Sequence, residues 1–162
     1  TPCGTLFPYT TLFRSVSVNS QESKKFFSSL SRIDPMPGVV DLLDELKNKG
    51  VPMAVASSSD KEAIELIMDK SGLKKYFRHV VNSNRVGKSK PEPDIFLFTA
   101  QLLDVDPESC VVIEDSTNGI KAAKAANMYC VAYSGASSAN QDQSLADMKV
   151  SDFSDLKNVL VR

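Results

Sequence analysis

The chain has 162 residues, 42% of them hydrophobic and 24% charged, and its net charge is −1. That length supports one domain with a full core, and the balanced charge leaves no bulk electrostatic pull toward nucleic acid or an acidic partner. No apolar run is long enough to span a membrane, and the three cysteines show no C-x-x-C spacing, so a reducing cytoplasm is the expected setting.

Taken in order, Thr5 to Ser15 reads TLFPYTTLFRS. That string is the codon-for-codon translation of a widely used DNA sequencing adapter, so residues 1–15 are expected to be an artefact, with native sequence from about Val16. Residues 17–31 carry Phe26, Phe27 and Leu30 at helical spacing, before a turn at Met36-Pro37-Gly38. Val39 to Lys49 reads as an amphipathic helix, with Val39, Leu42, Leu43 and Leu46 on one face and Gly50 as its stop. Pro52 to Ala56 is a buried strand candidate, Lys61 to Ser71 a helix, His79 to Asn82 a short strand and Asp94 to Leu103 a helix. Cys110 to Glu114 is another buried strand, followed by an alanine-rich helix from Ile120 to Ala126 and a strand at Tyr129 to Tyr133. Ser134 to Ser144 reads as a polar, flexible loop, Met148 to Asp152 as a last strand and Ser154 to Val161 as a terminal helix. Strand alternates with helix at parallel-type spacing, which predicts a doubly wound α/β sheet with helices on both faces. Cys110 and Cys130 sit in apolar strand-like runs, where a free thiol behaves as a small hydrophobe.

Three of the strand candidates are followed by chemistry-bearing loops. After Ala56 comes Ser57, a hydroxyl at a helix N-terminus, which is either a phosphate cradle with Ser58 or an ordinary helix cap. Beyond Asn82 comes Lys90, mounted stiffly by Pro91 and Pro93, as a charge that must meet an anion at one place would be; Lys88 reads as a solvated surface lysine. The third loop opens on Glu114-Asp115. Two adjacent carboxylates at the carboxyl edge of a sheet repel unless a cation neutralises them, and Mg²⁺ is the usual one; the alternative is a helix cap at Asp115 or Ser116 with Glu114 as a solvated neighbour. An anion cradle beside a cation site suits phosphate-ester chemistry. His79 is the single histidine and starts a strand, so no Cys-His or Ser-His-Asp arrangement can be assembled.

The order of these motifs resembles the haloacid dehalogenase superfamily in its phosphatase and β-phosphoglucomutase branch, from about Asp34 to Asp152. VASSS places Ser57 at the family's phosphate-binding hydroxyl, GKSKPEPDIF places Lys90 at its lysine, and VVIEDSTNGI places Glu114 and Asp115 at its Mg²⁺-supporting acids. Receiver domains also use an acid pair, a hydroxyl and a lysine before proline, but their acid pair comes first along the chain and here it comes last. The resemblance implies a three-layer α/β/α fold of Rossmannoid type with a mostly parallel sheet. For the parent protein it also implies an Mg²⁺-dependent phosphatase acting on a small phosphorylated metabolite such as a sugar phosphate, as a monomer without nucleic-acid or membrane partners. The chain as given, without the family's first motif, is expected to be inactive. A phosphomutase, or a fragment that binds phosphate and Mg²⁺ without turnover, are the alternatives.

One departure matters. The family's first motif, Asp-x-Asp-Gly-Thr, supplies the attacking aspartate and the acid/base aspartate, and here Thr1 and Cys3 stand in those places before Gly4-Thr5-Leu6-Phe7. The expectation is therefore that the first, central strand and most of the cap are missing, leaving residues 16–34 as the end of the cap and 35–162 as the core. Each buried backbone group left unpaired by such a loss costs about 1–3 kcal/mol. The chain would then be unstable or molten, or would borrow Thr5–Phe13 as a poor substitute strand.

Overall fold

Met53–Ser57 and Cys110–Glu114 are short, mostly apolar strands buried on both faces, as the middle of a parallel sheet sandwiched between helices requires. In the computed structural model, residues 4–7, 29, 31–135 and 138–160 are described. They contain β1 (Gly4–Phe7), α1 (Val39–Asn48), β2 (Met53–Ser57), α2 (Lys61–Ser71), β3 (His79–Asn82), α3 (Asp94–Leu103), β4 (Cys110–Glu114), α4 (Thr117–Ala125), β5 (Tyr129–Tyr133), β6 (Met148–Val150) and α5 (Phe153–Leu160). The strands form one sheet in the order β3-β2-β1-β4-β5-β6, every neighbouring pair parallel.

Side-chain alternation along the strands assigns the two helical layers. Met53, Val55, Ile113, Val131 and Tyr133 face α1, α2 and α5, where Leu42, Leu43, Leu46, Ile64, Ile67, Met68, Phe153 and Leu156 are buried. The opposite face presents smaller residues, Ala54, Ala56, Cys130 and Ala132, together with Leu6, Val81 and Val112, to Phe96 and Leu103 of α3 and Ile120, Ala122 and Ala123 of α4. The three-layer α/β/α arrangement is the one expected. The amphipathic helix before Gly50 is also present, and Gly50 adopts the left-handed conformation (φ 72°) while its N–H donates to Lys47 O.

Of the outcomes expected for the central slot, the borrowed strand is the one seen, over Gly4–Phe7 among the described residues. Gly4–Phe7 lies between β2 and β4, pairing Thr5 with Met53 and Val111 and Leu6 with Ala54 and Val112. Thr5 N–H donates to Pro52 O at 3.0 Å. Parallel pairing uses backbone groups that any non-proline residue carries, so the slot asks little of the side chains. Leu6 fills the core on the α3/α4 side. Of the proposed substitute strand, residues 8–13 lie outside the described residues, as do residues 17–28 and 30 of the expected helix at 17–31. Ile33, assigned from sequence to the cap remnant, is buried in the cluster with α1 and α2.

At the far side of the sheet Asp147 extends the β5–β6 ladder by one rung. Its N–H donates to Cys130 O, and its Oδ2 accepts from Cys130 N and Lys124 Nζ at 2.7 Å each. Burial works to raise this carboxyl, but the hydrogen bonds from Lys124 and the Cys130 amide outweigh it and hold the group below the usual carboxylate range.

Two outcomes test this packing. Leu6→Ala is expected to lower unfolding free energy by about 2–5 kcal/mol in urea denaturation, and an unchanged midpoint would remove Leu6 from the core. Because the folded Asp147 carboxyl titrates below its unfolded value, its contribution is present above the unfolded pKa and disappears as pH falls through the folded one. The melting-temperature gap between wild type and Asp147→Asn should therefore close on acidification below about pH 4, and a gap that widened would reverse the sign.

Candidate active site

Strand order reverses direction at β1: the chain runs outward to β2 and β3 on one side and to β4, β5 and β6 on the other. The crevice beyond the carboxyl ends of the strands at such a switch point is where open α/β sheets bind ligands. Ser57 ends β2 and Glu114 ends β4, so the two flank the end of β1. Two inter-strand spacings separate them, roughly 10 Å.

Ser57 is buried, and its Oγ accepts from Ser59 N–H at 3.1 Å. Accepting that bond leaves the hydroxyl proton available to a ligand oxygen, at the N-terminus of the eleven-residue α2. Ser58 beside it is exposed, and Ser83 Oγ donates to its carbonyl at 3.5 Å. In register with Ser57 stands Asn82, a buried amide at the end of β3.

Lys90 bridges the crevice. Its Nζ donates to Ala56 O on β2 at 3.4 Å and pairs with Glu114 Oε1 on β4, while Phe96 of α3 puts its ring centroid 4.6 Å from the ammonium. Only 9% of the lysine side chain and 1% of the glutamate side chain are exposed. A charge pair so removed from water is weakly screened, and removing either partner strands a buried charge. The cation beside Glu114 is thus this ammonium. Lys88, in contrast, is exposed; its backbone N–H donates to Asp94 Oδ1.

The rest of the Glu114 carboxylate serves the loop. Oε2 accepts from Asp115 N (3.1 Å), Ser116 N (3.2 Å) and Ser116 Oγ (3.0 Å). Ser116 caps α4 by accepting from Gly119 N–H at 3.1 Å, so the helix starts at Thr117 rather than at Ile120, and Ser116 is the cap. Gly119 is indispensable to this packing, because a Cβ on it would lie 2.0 Å from Glu114 Cδ. Asp115, also buried, follows as the second acid.

The sequence-predicted residues Ser57, Ser58, Lys90, Glu114 and Asp115 all lie at the carboxyl edges of β2 and β4 or in the connection from β3. Sequence reasoning missed Gly119, though a glycine inside an alanine-rich helical run is a packing signal. It also missed Gln143, which no local pattern marks. The expected flexible loop is tied down instead: Gln141 Oε1 accepts from Thr117 N (2.8 Å), Asp142 N donates to Thr117 Oγ1 (2.8 Å), and Gln143 Nε2 donates to Asp115 O (3.2 Å). Burial first, and then the negative charges of Glu114 and Asp147, push the Cys130 thiol up to about 12, so it is no nucleophile at neutral pH.

Among the described residues no cluster of three or more His, Cys, Asp or Glu groups could hold a metal. The acid pair still offers hard oxygen donors. Glu114 Oε1 accepts from Lys90, which leaves it a lone pair, and Asp115 supplies a second carboxylate. Mg²⁺ suits such a set, since it takes one or two protein carboxylates and fills its shell with water and phosphate oxygens.

Comparison with protein families matches residues 9–127 to the haloacid dehalogenase-like hydrolases. The bifunctional riboflavin kinase/FMN phosphatase of Arabidopsis thaliana is 43% identical over 115 residues, covering 70% of this chain and 30% of that protein. The beta-phosphoglucomutase of Bacillus subtilis is 37% identical over 112 residues, covering 69% of this chain and 49% of the relative. Among solved structures, CbbY from Rhodobacter sphaeroides in complex with xylulose-(1,5)bisphosphate superposes with a TM-score of 0.75 at 30% identity, covering 82% of this chain and 60% of that one. The chain thus spans half or less of the length of these two curated relatives.

The ion pair makes a prediction of its own. Lys90→Met alone should cost about 3–5 kcal/mol of stability, and adding Glu114→Gln should restore part of it. Equal and additive losses in urea titrations would deny that the two groups are coupled.

Proposed function

The chain belongs to the haloacid dehalogenase-like hydrolases, and on that premise we propose that its site binds the phosphate group of a small phosphorylated metabolite, a sugar phosphate, with Mg²⁺. The observation that carries this reading is the buried Lys90 ammonium between Ala56 O and Glu114, over the end of β1. Ser57 donates its hydroxyl to a phosphate oxygen, Ser58 borders the same oxygen cradle, and Lys90 offsets the phosphate charge. Glu114 and Asp115 hold Mg²⁺, which when bound neutralises negative charge on the phosphate oxygens. Glu114 also pairs with Lys90 and aims it, so one carboxylate serves both halves of the site.

In this reading residues 35–162 form the catalytic core, with Gly4–Phe7 as its central strand, 16–34 the end of a helical cap, and 1–15 adapter-derived sequence. Thr1 and Cys3 stand where the family's two aspartates belong. Neither can form an acyl phosphate or relay a proton as an aspartate does, so in this reading the chain binds phosphate and Mg²⁺ without turnover. Phosphatase is the preferred activity for the parent protein that carries both aspartates. The 37% identity to a phosphomutase supports the alternative, phosphoryl transfer between positions of one sugar. The reading takes the protein as a cytoplasmic monomer.

Calorimetry with inorganic phosphate and with MgCl₂, beside phosphate release from hexose and pentose phosphates, tests the assignment. Ser57→Ala and Lys90→Ala should each weaken phosphate binding roughly 10- to 100-fold, the worth of a hydrogen bond to a charged group. Asp115→Asn should act on Mg²⁺ instead. Turnover that is abolished by Lys90→Ala yet survives substitution of Thr1 and Cys3 would refute the account of the missing aspartates.

A further inference from the structure

The connection between β5 and β6 carries a buried amide that the chemistry above does not use. Gln143 is 7% exposed. Its Nε2 donates to Asp115 O at 3.2 Å and to Tyr133 O at 3.0 Å, and its Oε1 accepts from Ser134 Oγ at 2.7 Å. Two carbonyls on the nitrogen and a hydroxyl on the oxygen leave the amide one orientation. Its neighbours reinforce the contact, since Gln141 and Asp142 exchange hydrogen bonds with Thr117 on the other side of the same loop.

The direction of the Asp115 Cα–Cβ bond, from which its carboxylate is presented, depends on the two peptide planes that flank its Cα. The preceding plane is held because Asp115 N–H donates to Glu114 Oε2. The following plane is held at both ends: Ser116 N–H donates to Glu114 Oε2, and Asp115 C=O accepts from Gln143. Glu114 alone would leave the carbonyl end of that plane free to tilt. We propose that Gln143 is a positioning residue of the site, fixing the Asp115–Ser116 peptide and so the direction in which the Asp115 carboxylate is presented to Mg²⁺. This inference rests on the Mg²⁺ role proposed for Asp115. Partners that orient a metal ligand without touching the metal commonly govern its affinity.

The test compares wild type, Gln143→Leu and Ser134→Ala by calorimetry with MgCl₂ alone, calorimetry with inorganic phosphate alone, amide hydrogen exchange at Ser116, and thermal melting. Gln143→Leu should weaken Mg²⁺ binding by about 10- to 100-fold and speed exchange at Ser116, while phosphate affinity, set by Ser57 and Lys90, stays at the wild-type value. Ser134→Ala keeps the amide but frees its orientation, so it should shift Mg²⁺ affinity in the same direction by less, even if Gln143→Leu fails to fold. A lower melting temperature with unchanged Mg²⁺ affinity in both variants would reduce Gln143 to a structural tie and overturn the proposal. Parallel loss of Mg²⁺ and phosphate binding would overturn it too, as general loosening. Wild type that binds no Mg²⁺ would instead bring down the reading of the acid pair, and this inference with it.

Discussion

The structure turns on one buried ion pair. Lys90 and Glu114 come from opposite sides of the central strand and meet above its end, where the ammonium also reaches the Ala56 carbonyl. Withdrawing both charges from water is costly, and their mutual attraction offsets the cost only with good geometry and satisfied remaining valences. The fold meets that condition. Phe96 packs under the ammonium, and three donors from the next two residues share the second carboxylate oxygen. Loop, helix cap and charge pair are therefore a single construction, and disturbing any part exposes the others.

The sheet makes this construction possible by placing β2 and β4 on either side of β1. Small residues on the α3/α4 face let those helices approach closely, which brings Gly119 against Glu114 and Phe96 under Lys90. Larger side chains occupy the other face, where Ser57 and Asn82 follow Val55 and Val80 in alternation at the ends of β2 and β3. Cradle hydroxyl and charge pair accordingly arise from opposite layers of the molecule and converge only at the sheet's edge.

How much of this was legible depended on whether the deciding interaction was local. Lys61 to Ser71, His79 to Asn82 and Asp94 to Leu103 appear with the bounds read from pattern and turn residues. The places of Ser57 and the acid pair at strand ends were legible because each follows an apolar run with strand character. The pairing of Lys90 with Glu114 was not, since 24 residues separate them and an ammonium before two prolines reads as one waiting for a ligand. What holds the borrowed central strand was hidden for a related reason. Gly4 to Phe7 are four residues whose place is set by backbone groups on β2 and β4, and no property of GTLF announces that. The segment from Ser134 to Ser144 looked mobile because its residues are polar, yet Gln141, Asp142 and Gln143 spend that polarity on the acid loop.

Glu114 also works as a gauge of length. Its carboxylate must reach Lys90 with one oxygen and bend back to the Asp115 and Ser116 amides with the other, and it does so lying over a glycine. An aspartate is one methylene shorter and cannot span both; a glutamine has the span but surrenders the charge. Reach and charge are thus separate specifications on one side chain, and the missing Cβ of Gly119 is what gives that side chain room to meet them.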